Sequence, residues 1–164
     1  YGFNDADFRA IGKCVRLKCL KLHASRCIPP EILYGLPNLT TLEWHLPEDG
    51  QDHNEHSRTE KCLRALTRLP QLRSLYIGGQ RRVLTELEPL TQLQELSGIW
   101  LFRNKLEESE LNSLSKLVSL RKLELIGFIR GKANKKPIAA QVRRRLPLCE
   151  VSLLDISPPL FDGP

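Results

Sequence analysis

Three groups of side chains in this sequence have types and spacings that could do chemistry, and each points to a different kind. His53 and His56, with His45, Asp49, Asp52 and Glu55 nearby, form an H-x-x-H pair among carboxylates. Imidazole nitrogens and carboxylate oxygens are ligands that zinc accepts. No cysteine stands at a recognised ligand spacing beside them, and the segment from Pro47 to Lys61 is so polar that it reads as a solvated surface loop. No metal site and no cofactor are therefore assigned. The second group is basic: Arg130, Lys132, Lys135, Lys136, Arg143, Arg144 and Arg145, with no acidic residue between Arg130 and Arg145. Such clusters contact phosphates, and the binding they give weakens steeply with salt. Apart from Phe128 just upstream, no aromatic residue is interleaved to stack on bases. The third group is Tyr76, Trp100 and Phe102, large rings in stretches that otherwise alternate like strands.

Nucleophilic and phosphate-handling chemistry find no support. The chain has no G-x-S-x-G elbow, no glycine-rich phosphate loop and no H-E-x-x-H. The expectation is a protein that is not an enzyme. A chain of 164 residues suits one domain able to bury a substantial core. Its 41% hydrophobic and 27% charged residues place it among ordinary globular proteins rather than disordered ones. No run approaches the ~18 apolar residues of a membrane span, and no signal-like segment opens the chain. The net charge of +6 permits an acidic partner without demanding one. Five cysteines, an odd number without C-x-x-C spacing, favour reduced thiols and a cytoplasmic location. A secreted protein with Cys14 and Cys27 paired is the alternative.

The elements that must position these groups emerge from a repeat. The pattern L-x-x-L-x-L recurs as Leu17-Leu20-Leu22, Leu39-Leu42-Trp44, Leu72-Leu75-Ile77, Leu96-Ile99-Leu101 and Leu120-Leu123-Leu125, with a degenerate sixth copy at Leu146-Cys149-Val151. The middle residues are 22, 33, 24, 24 and 26 positions apart, the longest step holding the Pro47–Lys61 insertion. Between copies the period changes. Ile32, Leu33 and Leu36, then Leu63, Leu66 and Leu69, Leu84, Leu87 and Leu90, Leu111, Leu114 and Leu117, and Ile138, Val142 and Leu146 share helical faces. Each unit thus reads as strand, turn, helix and return to a parallel strand, and stacking supplies the core that no unit can bury alone.

From Cys14 to Val151 the chain resembles the leucine-rich repeat family. Its helix in every unit and its long steps are most similar to the ribonuclease-inhibitor-like class, and "KPIAAQVRRRLPLCEV" looks like the closing repeat of bacterial members. The resemblance implies a curved α/β solenoid of about six parallel strands on a concave face, with helices on the convex face. It also implies a binding scaffold rather than a catalyst. The family's motif asparagine appears only at Asn104, with Ser25 and Gln80 in equivalent places, so irregular turns are expected. The whole of residues 1–164 is read as one domain. Residues 1–13 form an N-terminal capping helix, with Asn4 or Asp5 as N-cap and Phe8 and Ile11 inward. Residues 14–151 are repeats with an inserted loop at 47–61, and residues 152–164 form a capping tail that brings Leu153, Ile156, Leu160 and Phe161 over the end.

If Leu20, Leu22 and their equivalents point inward, alternate residues line the open face. One row there is Lys21, Glu43, Tyr76, Trp100, Glu124 and Glu150. The row after it is His23, His45, Gly78, Phe102, Ile126 and Ser152, and the row before is Cys19, Thr41, Ser74, Gly98, Lys122 and Leu148. Tyr76 and Trp100 become neighbours, and Gly78 and Gly98 leave recesses beside the rings. The expected partner-binding residues are Tyr76, Trp100, Phe102, Glu43, His45, Lys122, Glu124 and Ile126. They would grip a protein partner, as an inhibitor, immunity protein or regulatory scaffold does. A second reading binds RNA or another polyanion at the 130–145 surface. A third outcome makes the rings core, covered by a terminal segment or turned inward by a slipped register.

Overall fold

The computed structural model of the chain describes residues 4–23, 29–45, 55–78, 83–84, 87–102, 105–106, 108–127, 140 and 142–154. The repeated motif builds β1 Cys19–His23, β2 Thr41–His45, β3 Ser74–Gly78, β5 Gly98–Phe102, β7 Lys122–Ile126 and β8 Glu150–Leu154. These strands form one open parallel sheet in chain order. Helices α1 Asp5–Gly12, α2 Pro30–Tyr34, α3 Glu55–Leu66 and α4 Glu108–Leu114, with a 3-10 helix at Glu88–Gln92, lie between successive strands or before the first. Each helix packs on the next in sequence, so a helical layer follows the sheet. Among the described residues no helix is long and apolar enough to cross a membrane.

Period-two alternation explains the strands. Leu42 and Trp44, Leu75 and Ile77, Ile99 and Leu101, and Leu123 and Leu125 are all at most 1% exposed, while the residues between them face the other way. The first leucine of each motif closes a turn: the backbone N–H of Leu39, Leu72, Leu96 and Leu120 donates to the carbonyl of Leu36, Leu69, Leu93 and Leu117 respectively. Hydroxyls then tie neighbouring repeats, Thr40 donating to the Lys18 carbonyl at 2.9 Å and Ser97 to that of Arg73 at 3.3 Å. The helical residues Leu33, Leu36, Leu63, Leu66, Leu69, Leu87, Leu90, Leu114 and Leu117 complete one contiguous core.

At the start of the chain Asn4, rather than Asp5, is the N-cap. Its side chain accepts from the N–H groups of Ala6 and Asp7, and Asp7 accepts from the Asn4 N–H in return, a capping box. Phe8 is buried and Ile11 packs beside the core. Gly35 lies so close to α1 that a Cβ there would meet the Gly12 carbonyl oxygen at 1.9 Å. The lack of a side chain lets α1 and α2 touch backbone to backbone. Gly127, leaving β7 with φ 66°, takes a left-handed turn, and its N–H donates to the Leu154 carbonyl at 2.7 Å.

Four expectations need correction. The inserted loop does not extend to Lys61, because α3 begins at Glu55; residues 46–54 lie outside the described ones. The unit between β3 and β5 has a 3-10 helix instead of an α-helix. Its first turn holds Pro89, and the N–H groups of Leu90 and Leu93 donate three residues back, to the carbonyls of Leu87 and Leu90, the tighter 3-10 pattern. Leu84 belongs not to that helix but to β4 Val83–Leu84, which pairs with β6 Lys105–Leu106 in a second, two-stranded parallel sheet. Finally, the sixth motif is shifted. Val151, not Cys149, is the Cα partner of Leu123, and Leu153 that of Leu125. Cys149 instead closes the turn with Leu146, as the first leucine does elsewhere, with one residue fewer before the strand. The shift is by two, so the faces keep their identity, but Ser152 replaces Glu150 beside Glu124, Leu154 replaces Ser152 beside Ile126, and Glu150 replaces Leu148 beside Lys122.

Cys14, Cys19, Cys62 and Cys149 carry free thiols, and the Cys14 thiol donates to the Ala10 carbonyl at 3.5 Å. Burial raises the pKa of the Cys149 thiol and so disfavours its thiolate. Cys27, Ser25, Gln80, Asn104, Ile138, Ile156, Leu160 and Phe161 lie outside the described residues.

Candidate functional site

The strand register carries the expected partner-binding residues onto the face opposite the helices. Tyr76 is the Cα partner of both Glu43 and Trp100, Trp100 that of Glu124, and Phe102 that of both Gly78 and Ile126. All eight expected residues are half-buried there, with neither the full exposure of loop residues nor the closure of core. Tyr76 and Trp100 stack face to face, ring centroids 4.2 Å apart and planes 9° from parallel. Parallel strands lie about 4.8 Å apart, so rings leaving paired positions on one face meet in this way. The Lys122 ammonium lies 5.7 Å from the Trp100 ring centroid, within range of a cation–π interaction, while bonding Glu124 at 2.8 Å.

The recesses expected beside the rings are filled from within. A Cβ on Gly98 would meet the far edge of the Trp100 ring at 2.4 Å, so the indole leans back along its own strand over the glycine. A Cβ on Gly78 would likewise meet the His45 ring at 2.3 Å. The glycines therefore seat the protein's own rings instead of leaving sockets. What remains accessible is the partly covered edge of an aromatic stack, bordered by charge.

That border is set by two lysine–glutamate pairs. Lys21 Nζ lies 2.9 Å from Glu43 Oε2, and Lys122 makes the matching pair with Glu124. The hydrogen bond to Glu43 is the largest influence raising the pKa of Lys21, and Glu124 acts in the same way on Lys122. Glu43 is held below the usual carboxylate range, first by the Lys21 hydrogen bond and, against the opposing effect of burial, by that of His45. Next to Glu43 the rings of His23 and His45 stack at 4.0 Å. Residue spacing alone marks His45 and Glu43 as partner contacts and sets His45 near His53 and His56 in sequence; His23 is the addition, a residue that the aligned strand rows place beside His45. His53 lies outside the described residues, and His56 is within α3.

The basic group divides. Arg130, Lys132, Lys135 and Lys136 lie outside the described residues. Arg143, Arg144 and Arg145 are in the helical stretch 142–145, with Arg143 and Arg144 exposed and Arg145 half-buried. Arg143 donates to the Val151 carbonyl at 3.2 Å and Arg145 to the Asn112 side-chain oxygen, so both help fasten the last repeat.

No family model and no curated protein matches the chain. Similar solved structures include internalin C2 (inlC2) of Listeria monocytogenes, at 17% identity and a TM-score of 0.37, covering 95% of this chain and 79% of that one. Internalin inlF of the same organism is similar at 13% identity and a TM-score of 0.34, covering 90% of this chain and 59% of that one. Likenesses this distant say nothing of partner or role. The chain's own geometry is more informative: five copies of L-x-x-L-x-L and a shortened sixth each place a strand in one parallel sheet, in chain order and in register, backed by a helical layer. That architecture is the strand-and-helix repeat that the resemblance to leucine-rich repeat proteins implies.

Proposed function

We propose that the chain is a non-catalytic protein-recognition module that takes a protein partner on the open face of its sheet, centred on Tyr76 and Trp100. The observation that carries this reading is the stacked pair itself, half-buried on a solvent-facing sheet and flanked by Lys122 and Glu124. Tyrosine and tryptophan dominate the energetics of protein interfaces, and clustered exposed rings are otherwise an unfavourable use of surface. Already stacked, the two rings lose little conformational freedom on binding. Phe102 and Ile126, one row along, extend the apolar area.

Affinity purification from the native source, followed by binding measurements on the recovered partner, tests the reading. Trp100→Ala is expected to weaken binding by ~2 kcal/mol, the scale of an interface hot spot. The cost to folding should come from the lost ring pair, about 0.5–1.5 kcal/mol, and from the lost Lys122 contact, about 0.5–1 kcal/mol. Retention of both binding and stability would remove this face as the recognition site. Loss of salt-sensitive heparin retention in an Arg143→Ala/Arg144→Ala variant, with partner binding untouched by Trp100→Ala, would favour the polyanion reading instead.

A further inference from the structure

At the β1–β2 edge of the same face, three potential ligands converge that lie far apart in sequence or on alternate strand positions. His23 Nε2 is 3.5 Å and His45 Nε2 3.2 Å from the same oxygen, Glu43 Oε1. The ligand atoms of the three residues all lie within 4.8 Å of one another. We infer that His23, Glu43 and His45 form a binding site for a borderline divalent cation of the zinc type, independent of the partner reading above.

The donor set is the first argument. Two imidazole nitrogens and a carboxylate oxygen suit zinc and its neighbours, whereas magnesium and calcium prefer oxygen throughout. Spacing is the second. Ligands about 2.0–2.1 Å from a tetrahedral zinc stand roughly 3.3 Å apart, and both nitrogen–oxygen separations fall close to that. Support around the ligands is the third. His23 and His45 are Cα partners on paired strands, so strand pairing keeps their side chains side by side; the rings, stacked 4.0 Å apart, have to turn out of parallel to aim both Nε2 lone pairs at one ion. Lys21 holds the other carboxylate oxygen, Oε2, at 2.9 Å, which orients Oε1 toward the histidines as an outer-shell partner does. The Lys21 side chain is 65% exposed, so water screens its charge from a cation on the Oε1 side. The His45 ring rests over Gly78, where any larger residue would displace it. Solvent on the open side leaves further coordination positions to water.

The test is titration of the full-length chain, with its thiols reduced, by zinc in calorimetry and by cobalt in absorption spectroscopy. One equivalent of each should bind, with cobalt bands of nitrogen and oxygen ligation and no thiolate charge-transfer band. His45→Ala, His23→Ala and Glu43→Gln should each weaken zinc binding at least about tenfold, the scale seen when even an outer-shell partner is lost. All three side chains lie on the open face, and circular dichroism should show the variants folded. His53→Ala/His56→Ala should bind zinc as the parent does. No binding, binding that survives the three substitutions, a cobalt–thiolate band, or loss confined to the His53→Ala/His56→Ala variant would each overturn the assignment.

Discussion

Trp100 is held on three sides by contacts of different kinds: a stacked phenol ring, an ammonium group and the bare backbone of Gly98. Gly98 is the least conspicuous of these and the most informative to change. In Gly98→Ala the new Cβ would sit 2.4 Å from the indole, too near for any real contact, so the ring has to swing away. Nothing in the core need move, because the ring lies on the solvent face. The expected result is loss of the Tyr76 stack, a destabilisation of about 0.5–1.5 kcal/mol, and a red-shifted tryptophan emission. The chain's other tryptophan, Trp44, is 1% exposed and contributes a constant background. Urea titration and emission spectra measure both quantities; an unchanged emission maximum would mean that Gly98 does not seat the ring. The sequence revealed that Gly98 and Trp100 share a face but not which way the ring leans. Alternation fixes the face of a side chain, whereas its rotamer depends on the space its neighbours leave.

The same division between legible and hidden runs through the elements. Leucine spacing identified the strands, their order and their inward faces because hydrophobic burial demands period two in a strand and three to four in a helix. It misplaced the sixth motif because Cys149 is as acceptable in the core as an aliphatic residue, so counting alone did not show that one residue is missing before β8. It missed β4 and β6, two residues each, since so short a run has no period to detect. Glu110 was hidden for another reason. It is one of two acidic residues in α4, with Glu108, yet it is only 7% exposed, and its Oε2 accepts from the Leu87 N–H at 2.7 Å, joining α4 to the start of the 3-10 helix. Glu110→Ala leaves that buried donor without its acceptor and should cost about 1–3 kcal/mol. Glu110→Gln retains an acceptor oxygen and should cost less. Equal losses in denaturant titrations of the two variants would mean that the bond to Leu87 contributes nothing.

At the scale of the whole molecule, the sheet order matches the chain order, so the described strands and helices of each repeat pack chiefly on those of the repeats beside it. Energetic coupling should fade accordingly. Leu75 and Ile99 are Cα partners on β3 and β5, both fully buried, and share the same packing layer. Leu20 on β1 lies three strands from Ile99 along the sheet, about 14 Å at 4.8 Å per strand. Substitutions more than about 7–10 Å apart without shared partners usually add within about 0.5 kcal/mol, whereas contacting residues interact by about 0.5–3 kcal/mol. Leu75→Ala should cost about 2–5 kcal/mol and Ile99→Val about 0.5–1.5 kcal/mol. The Leu75→Ala/Ile99→Val pair should then depart from additivity by at least about 0.5 kcal/mol, because the space opened by the first changes what the second removes. Leu20→Ala/Ile99→Val should be additive, since no packed side chain is common to both sites. Double-mutant cycles from urea unfolding compare the two directly. Coupling as strong across three strands as across one would show that the core responds as a single body, and would rule out a nearest-neighbour account of this solenoid's stability.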